Sequence, residues 1–286
     1  GWGPNGLTAI RRPTSILDDI TLTYDGSGRV QTWSDNGNTW TYAYALSGST
    51  LTTTVTNPQS QVDTYVSDVS TNRLTSYTDA LSHTTAYLYD ADGRVTRATL
   101  PEGNYTTWAY DSRGNVTTVT NVAKSGSGLS DIVNTAAYPS VCSSVVTCNQ
   151  PTSTTDARGN TTAYAYDTTH GGVLTILEPA PTVGAAQPET RFTYSSLSTP
   201  TTPVVRLTQI SRCSTGSSCI GTAQEVRTTI GYTAGNRLPS TVTEAAGDGS
   251  LSATTTATYT PEGDIASVDG PLSGADDTTY FRYDYP

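Results

Sequence analysis

Methionine is absent from this chain of 286 residues, and phenylalanine and histidine occur only twice each. Lysine is scarce, and all charged residues together make up 14%. A chain poor in these helix formers and punctuated throughout by glycine and proline is not built from long helices. No apolar run approaches the roughly twenty residues that span a bilayer, so no membrane span is expected. There is no basic stripe, which argues against a nucleic-acid partner. The net charge of −10 is dispersed as single Asp and Glu residues, many at turns. No signal peptide is visible, and a chain without Met is expected to be a processed or partial product.

What the sequence has instead is threonine, roughly a fifth of the chain, and 18 tyrosines. Both favour strands. Disorder would deplete aromatic and β-branched residues, and here they are abundant and periodic. The expectation is a nearly all-β protein. The four cysteines form two similar spacings, Cys142 to Cys148 and Cys213 to Cys219, each in a Ser/Thr/Gly-rich loop. Metal sites usually want closer pairs or histidine partners. Two local loop-closing disulfides are the better reading, with cross-pairing or free thiols as alternatives. Disulfides imply an oxidising compartment, so a secreted or cell-surface location.

The dominant signal is a tyrosine-centred phrase that recurs along the chain. It reads Asn38-Thr-Trp-Thr-Tyr-Ala-Tyr44, His83-Thr-Thr-Ala-Tyr-Leu-Tyr-Asp90, Asn104-Tyr-Thr-Thr-Trp-Ala-Tyr-Asp111 and Asn160-Thr-Thr-Ala-Tyr-Ala-Tyr-Asp167. Weaker copies end at Tyr65, Tyr194, Tyr232, Tyr259 and Tyr283. Such self-similarity marks a repeat architecture in which each unit needs its neighbours. Strand alternation places Trp40, Tyr42 and Tyr44 on one face, as it does Thr85, Tyr87 and Tyr89, then Thr106, Trp108 and Tyr110, then Thr162, Tyr164 and Tyr166. The opposite face is mostly small or hydroxylated. After the phrase, Asp25, Asp90 or Asp111 can accept backbone N–H bonds across a tight turn, and Gly28, Gly93 or Gly114 can adopt the left-handed conformation. An Arg or Asn then leads into the return strand, as at Arg29, Arg94, Asn72-Arg73-Leu74 and Asn236-Arg237-Leu238. Two strands and two turns per unit predict a continuous meander over residues 1–286, with insertions at about 122–153 and 178–224 (the second containing Pro179, Pro181, Pro188, Pro200 and Pro203).

Tyr24-Asp-Gly-Ser-Gly-Arg-Val30, Tyr89-Asp-Ala-Asp-Gly-Arg-Val95 and Tyr110-Asp-Ser-Arg-Gly-Asn-Val116 resemble the YD repeats of the RHS family. That family includes bacterial RHS proteins, shell-forming components of Tc toxins and the animal teneurins. The resemblance runs from about Tyr24 to Tyr283. It implies tandem β-hairpins forming a long coiled antiparallel strip, a spiral or barrel-like wall that encloses a toxin or stiffens an adhesion receptor. Its structural positions here are Tyr24, Asp25, Gly28, Arg29, Tyr44, Tyr89, Asp90, Gly93, Arg94, Tyr110, Asp111, Gly114, Tyr166 and Asp167. The chain has no Asp-Pro dipeptide, so the Asp-Pro-Gly-type self-cleavage motif of many family cores is missing.

Candidate chemistry is thin. His83 and His170 occupy turn positions, with no nucleophile recurring beside them. Asp18-Asp19 and Asp276-Asp277 read as solvated turns, and no calcium-loop pattern is present. Asn104-Tyr-Thr, Asn115-Val-Thr and Asn160-Thr-Thr match glycosylation sequons, which arise readily in a Thr-rich chain. No cofactor and no catalytic residue is expected. The expected function is a non-enzymatic structural scaffold, forming a rigid shell or a self-assembling filament or tube. Its partners would be further copies of itself or the remainder of a larger RHS protein. The alternative is a carbohydrate-binding adhesin, with glycans stacking on Trp40 or Trp108.

Overall fold

In the computed structural model, the described residues are 1–13, 15–197, 203–233, 235 and 238–284. The turn expected at Asn236-Arg237, and Pro200, lie outside them. The regular structure of the described chain is strand throughout, apart from one short 3-10 turn at Gly216–Cys219. Among the described residues no helix is long and apolar enough to cross a membrane.

The chain falls into two compact units, Gly1–Asp111 with Thr118–Val133, and Ser112–Thr117 with Asn134–Pro286. In the first, a small hairpin of Trp2–Gly3 and Gly6–Leu7 precedes a meander. Its strands, Ala9–Ile10, Ile20–Tyr24, Val30–Asp35, Asn38–Ser47, Thr50–Thr56, Val62–Asp68, Arg73–Thr78, Thr84–Tyr89, Val95–Thr99 and Tyr105–Tyr110, each pair antiparallel with the next. The second unit repeats the plan from Ile132–Ala137 through Ser153–Thr155, Thr161–Tyr166, Val173–Leu177, Glu189–Leu197, Val204–Cys213, Val226–Tyr232, Pro239–Ala246, Ser252–Tyr259 and Ile265–Asp269 to Thr279–Tyr280. The stretch expected as an insertion at 178–224 holds two of the longest strands, Glu189–Leu197 and Val204–Cys213. Among the described residues, the segments flanking that hairpin are irregular.

The turns explain why consecutive strands pair. In Asp25-Gly-Ser-Gly-Arg29, the Gly28 N–H donates to the Asp25 carbonyl at 3.0 Å and the Asp25 N–H donates to the Arg29 carbonyl at 2.8 Å. Gly28 has φ +77°. This is a three-residue hairpin loop, a tight turn followed by one left-handed residue. Asp90–Arg94 repeats it with Gly93 at φ +88°. The far ends of the strands use the same device at Leu100–Asn104 and Asp156–Asn160, and at Asp79–His83 with Ser82 in the glycine's place at φ +67°.

Burial follows the alternation. Along Thr84–Tyr89, Thr85, Tyr87 and Tyr89 are half-buried while Thr84, Ala86 and Leu88 are exposed. Directly opposed aromatic pairs form on the ring-bearing face, Trp33 with Trp40 at 4.5 Å and Tyr65 with Tyr77 at 5.0 Å. Each such pair adds roughly 0.2–1 kcal/mol. Tyr105 departs from the pattern. It lies opposite Thr99 on the other face, beneath the Arg97 guanidinium at 3.6 Å. Among the described residues the only buried apolar side chains are Cys148, Cys213 and Cys219. Neither unit has the dry two-layer core of a sandwich, so ladder bonds and cross-strand pairs carry a large share of the stability.

Candidate functional site

The repeated feature with the most consistent geometry is the junction between one hairpin and the next. The Tyr110 hydroxyl donates to the Val95 carbonyl at 2.7 Å, Tyr89 to Leu74 at 2.7 Å, and Tyr44 to Val30 at 2.7 Å. Tyr24 donates to Leu7 at 2.7 Å, Tyr166 to Pro151 at 2.9 Å, Tyr232 to Leu207 at 2.7 Å and Tyr259 to Pro239 at 2.6 Å. These seven bonds share one register. The last registered strand pair before Tyr110 is Arg97 with Thr107, so the tyrosine stands three residues beyond Thr107 and its acceptor two residues before Arg97. The same offsets hold from Ala86–Ser76, Thr41–Thr32, Thr21–Ala9, Ala163–Ser153, Thr229–Gln209 and Thr256–Thr241.

Tyr44 makes the bond from an unshifted register opposite Thr53, whereas for five of the seven the cause lies on the other side of the tyrosine strand. There the register shifts immediately before the tyrosine, between Leu88 and Tyr89, Thr23 and Tyr24, Ala165 and Tyr166, Gly231 and Tyr232, and Thr258 and Tyr259. A bulge bends its strand and strengthens the twist, so pairing with the preceding strand runs out. A backbone carbonyl is then left without a ladder partner, and the phenol supplies one. Phenylalanine would fill the same space but could not donate, which accounts for tyrosine rather than phenylalanine at these seven positions.

Arginine closes the junction from the previous turn. The Arg29 guanidinium lies 4.3 Å from the Tyr44 ring centre, Arg73 5.7 Å from Tyr89, and Arg94 4.8 Å from Tyr110. Arg94 also spans two turns. Its Nε donates to Asp90 Oδ2 at 2.6 Å and its Nη1 reaches the Asp111 carbonyl at 3.5 Å. Asp25 is held in the same way by the Arg29 N–H at 3.0 Å and the Arg29 Nε at 2.8 Å. The Arg29 backbone N–H, then its guanidinium, holds the Asp25 carboxyl below the usual range. Partial burial pushes the Asp90 carboxyl up, but the Arg94 N–H and guanidinium outweigh it, and the net shift is downward. Burial raises the Tyr44 and Tyr166 phenols, keeping them protonated as donors. Gly93 is favoured by its positive φ, and a Cβ there would lie 2.1 Å from Arg73 Nη2 and so displace that guanidinium. Gly114 has φ +87°. The Asp167 turn is one residue longer, with Asp167 Oδ1 accepting from the Thr169 and His170 N–H groups.

The other singled-out residues have local roles. His83 Nδ1 lies 3.1 Å from Asp79 Oδ2, in the position held by Asn160 beside Asp156. His170 Nδ1 accepts from the Gly172 N–H and its ring packs on Tyr194 at 4.7 Å. Trp40 lies against Trp33, and Trp108 is half-buried on the same face. Cys142 is bonded to Cys148 and Cys213 to Cys219.

One cluster gave little signal in the sequence. Glu225 is 1% exposed and accepts from Ser211 Oγ at 2.5 Å, the Gly221 N–H at 2.7 Å and Arg227 Nη2 at 2.9 Å. Burial alone would raise this carboxyl, but those three donors hold it down to about 2. The cluster anchors the segment after the Cys213–Cys219 bridge to its flanking strands. Its ligands come from three separate stretches, and only the proximity of Glu225 to Cys219 and Arg227 hinted at it.

Tandem hairpins, a bulge before five of the seven junction tyrosines and a phenol closing each junction define a β-repeat scaffold. The RHS Repeat family model matches residues 70–105 and 89–125, so this stretch is built of RHS-type repeats. No curated protein matches the chain significantly. Among solved structures it is similar to the TcdB2–TccC3 complex, at 14% identity and TM-score 0.53 over 91% of this chain and 16% of that one. It is similar also to TcdB2–TccC3 without its hypervariable C-terminal region, at 15% identity and TM-score 0.52 over 91% of this chain and 15% of that one. The likeness is one of fold, and the chain spans about 15% of the length of the solved chains it matches.

Proposed function

We propose that this chain is a stretch of wall from a secreted or surface-exposed RHS-type protein, and that its work is mechanical rather than catalytic. The observation that carries this reading is the junction in which Tyr24, Tyr44, Tyr89, Tyr110, Tyr166, Tyr232 and Tyr259 each close the same carbonyl gap. A device repeated in one register stiffens a strip, whereas a catalytic centre needs a single convergence of unlike groups. Histidines and carboxylates are spent inside turns, as at Asp79–His83 and Asp90–Arg94. The similarity to TcdB2–TccC3 supports a segment of a larger assembly, either a shell or, through unpaired sheet edges, a filament or tube.

Limited proteolysis, with size-exclusion chromatography coupled to light scattering on the natively isolated protein, tests this. The expected result is a protease-resistant β species that belongs to a longer polypeptide or a regular assembly. Rapid digestion throughout, or a helical circular dichroism spectrum, contradicts it. Glycan-array binding lost on Trp40→Ala or Trp108→Ala would favour the adhesin reading instead.

A further inference from the structure

The two disulfides sit in opposite environments. Cys213 and Cys219 are each 3% exposed, and the chain beyond them is independently fixed by Gly221 donating to the buried Glu225 carboxylate. In the other bridge Cys148 is 4% exposed but Cys142 lies in an exposed run, Ser140–Ser143. One sulfur-bearing residue of this pair is therefore within reach of a reagent in solution.

The Cys142–Cys148 loop also holds something. Ser144 Oγ donates to the Thr168 carbonyl at 2.9 Å, and Gln150 Nε2 donates to the Val146 carbonyl at 3.0 Å and the Gly171 carbonyl at 2.9 Å. The approach is close. A Cβ on Gly171 would lie 2.8 Å from the Val146 carbonyl oxygen. The held segment, Asp167–Gly172, is the turn that follows a junction tyrosine, and Pro151, next to Gln150, is the acceptor of the Tyr166 hydroxyl. The loop clasps one hairpin turn and its junction together.

We propose that Cys142–Cys148 is a thiol-exchange site, open to a small dithiol or monothiol reductant, whose reduction releases the Asp167–Gly172 turn. A reductant thiolate attacks Cys142 Sγ. The bond to Cys148 breaks, and the electron pair leaves on Cys148 Sγ, which takes up a proton. Its sulfur lies 2.9 Å from the Ser144 carbonyl oxygen, an acceptor ready for the new S–H. A second thiolate then attacks the reductant sulfur of the mixed disulfide, forming the oxidised reductant and freeing the Cys142 thiol. Two thiols are oxidised and one disulfide reduced. Cys213–Cys219 stays closed under the same conditions because both cysteines are 3% exposed.

The test uses the oxidised protein without denaturant, treated with graded dithiothreitol at mild alkaline pH, trapped with iodoacetamide and read by peptide mass spectrometry. Cys142 and Cys148 are expected to be alkylated at least about ten-fold faster than Cys213 and Cys219. Hydrogen exchange on the partly reduced protein should rise at Tyr166–Gly172 and stay unchanged at Glu225–Gly247. In the oxidised protein, Gln150→Ala should raise exchange at Gly171–Gly172 without touching either disulfide. Equal alkylation of all four cysteines overturns the proposal, and so does selective reduction that leaves exchange at Tyr166–Gly172 unaltered. The site is independent of whether the chain serves as a wall.

Discussion

At the scale of the residue, the tyrosine hydroxyl is the group the repeat cannot do without. Tyr110→Phe keeps the ring beneath Arg94 and removes only the donor to Val95, leaving a carbonyl without a partner. A loss of about 1 kcal/mol is expected from urea titration. Thr107→Ser, on the face of the same strand away from Tyr110, should change stability by less than about 0.5 kcal/mol. Glycine can be dissected in the same way. Gly103 has φ +87° with nothing within 4 Å of its missing Cβ, so Gly103→Ala costs the conformational term alone, about 1 kcal/mol. Gly93→Ala adds the clash with Arg73 and should cost more. The double variant Arg73→Ala/Gly93→Ala should recover that extra cost, a non-additivity that a thermal-melt cycle measures. If Gly93→Ala and Gly103→Ala cost the same, Arg73 does not constrain the turn.

At the scale of the element, local chemistry was legible and long-range chemistry was not. The alternation of Trp40, Tyr42 and Tyr44, or of Thr85, Tyr87 and Tyr89, fixes which face is half-buried because side chains alternate across any strand. Asp25-x-x-Gly28-Arg29 announces its turn because every bond in it closes within five residues. The tyrosine acceptors, 14 residues back for Tyr44 and 25 for Tyr232, depend on strand pairing that no single phrase contains. Ser60, Ser82, Asn36 and Asn72 hold positive φ where glycine would have been the signal. Tyr105 reads as one more aromatic of its phrase, yet stands on the face opposite Trp108 because it begins the strand one residue out of step.

The acidic groups of these elements give a pH dependence of one sign. Asp25, Asp79, Asp90 and Asp156 all titrate below their ordinary value in the folded chain, as does Glu225. Their contribution is present above the unfolded carboxyl range and lost as pH falls through the folded values. For Glu225 the window runs from 4.5 down to about 2, and the full contribution is about 3 kcal/mol. Denaturation followed from pH 7 to pH 2 should show an acid limb that flattens in Glu225→Gln, a variant already less stable at pH 7. An unchanged acid limb would mean that the Glu225 cluster does not anchor its unit.

At the scale of the whole molecule, sparse burial is the telling property. A chain of 286 residues whose buried side chains among the described residues are three cysteines with Ser211, Thr228 and Glu225 does not stabilise itself as ordinary globular domains do. Large apolar side chains such as Leu46, Leu88 and Leu251 stand 64%, 58% and 74% exposed. Repeat proteins tolerate this because each unit is held by its neighbours in sequence. The proposed role as wall follows from that economy, since a strip held by its own ladder and junctions can leave its faces to the surroundings.

The central claim is that the strip is the functional object, and imaging the natively isolated protein by electron cryomicroscopy tests it most directly. The account predicts a continuous antiparallel β-ribbon, strands spaced about 4.8 Å, running unbroken into further repeats as the wall of a lumen or the body of a filament. A particle in which these 286 residues fold back into a compact helical or two-layered domain would contradict it.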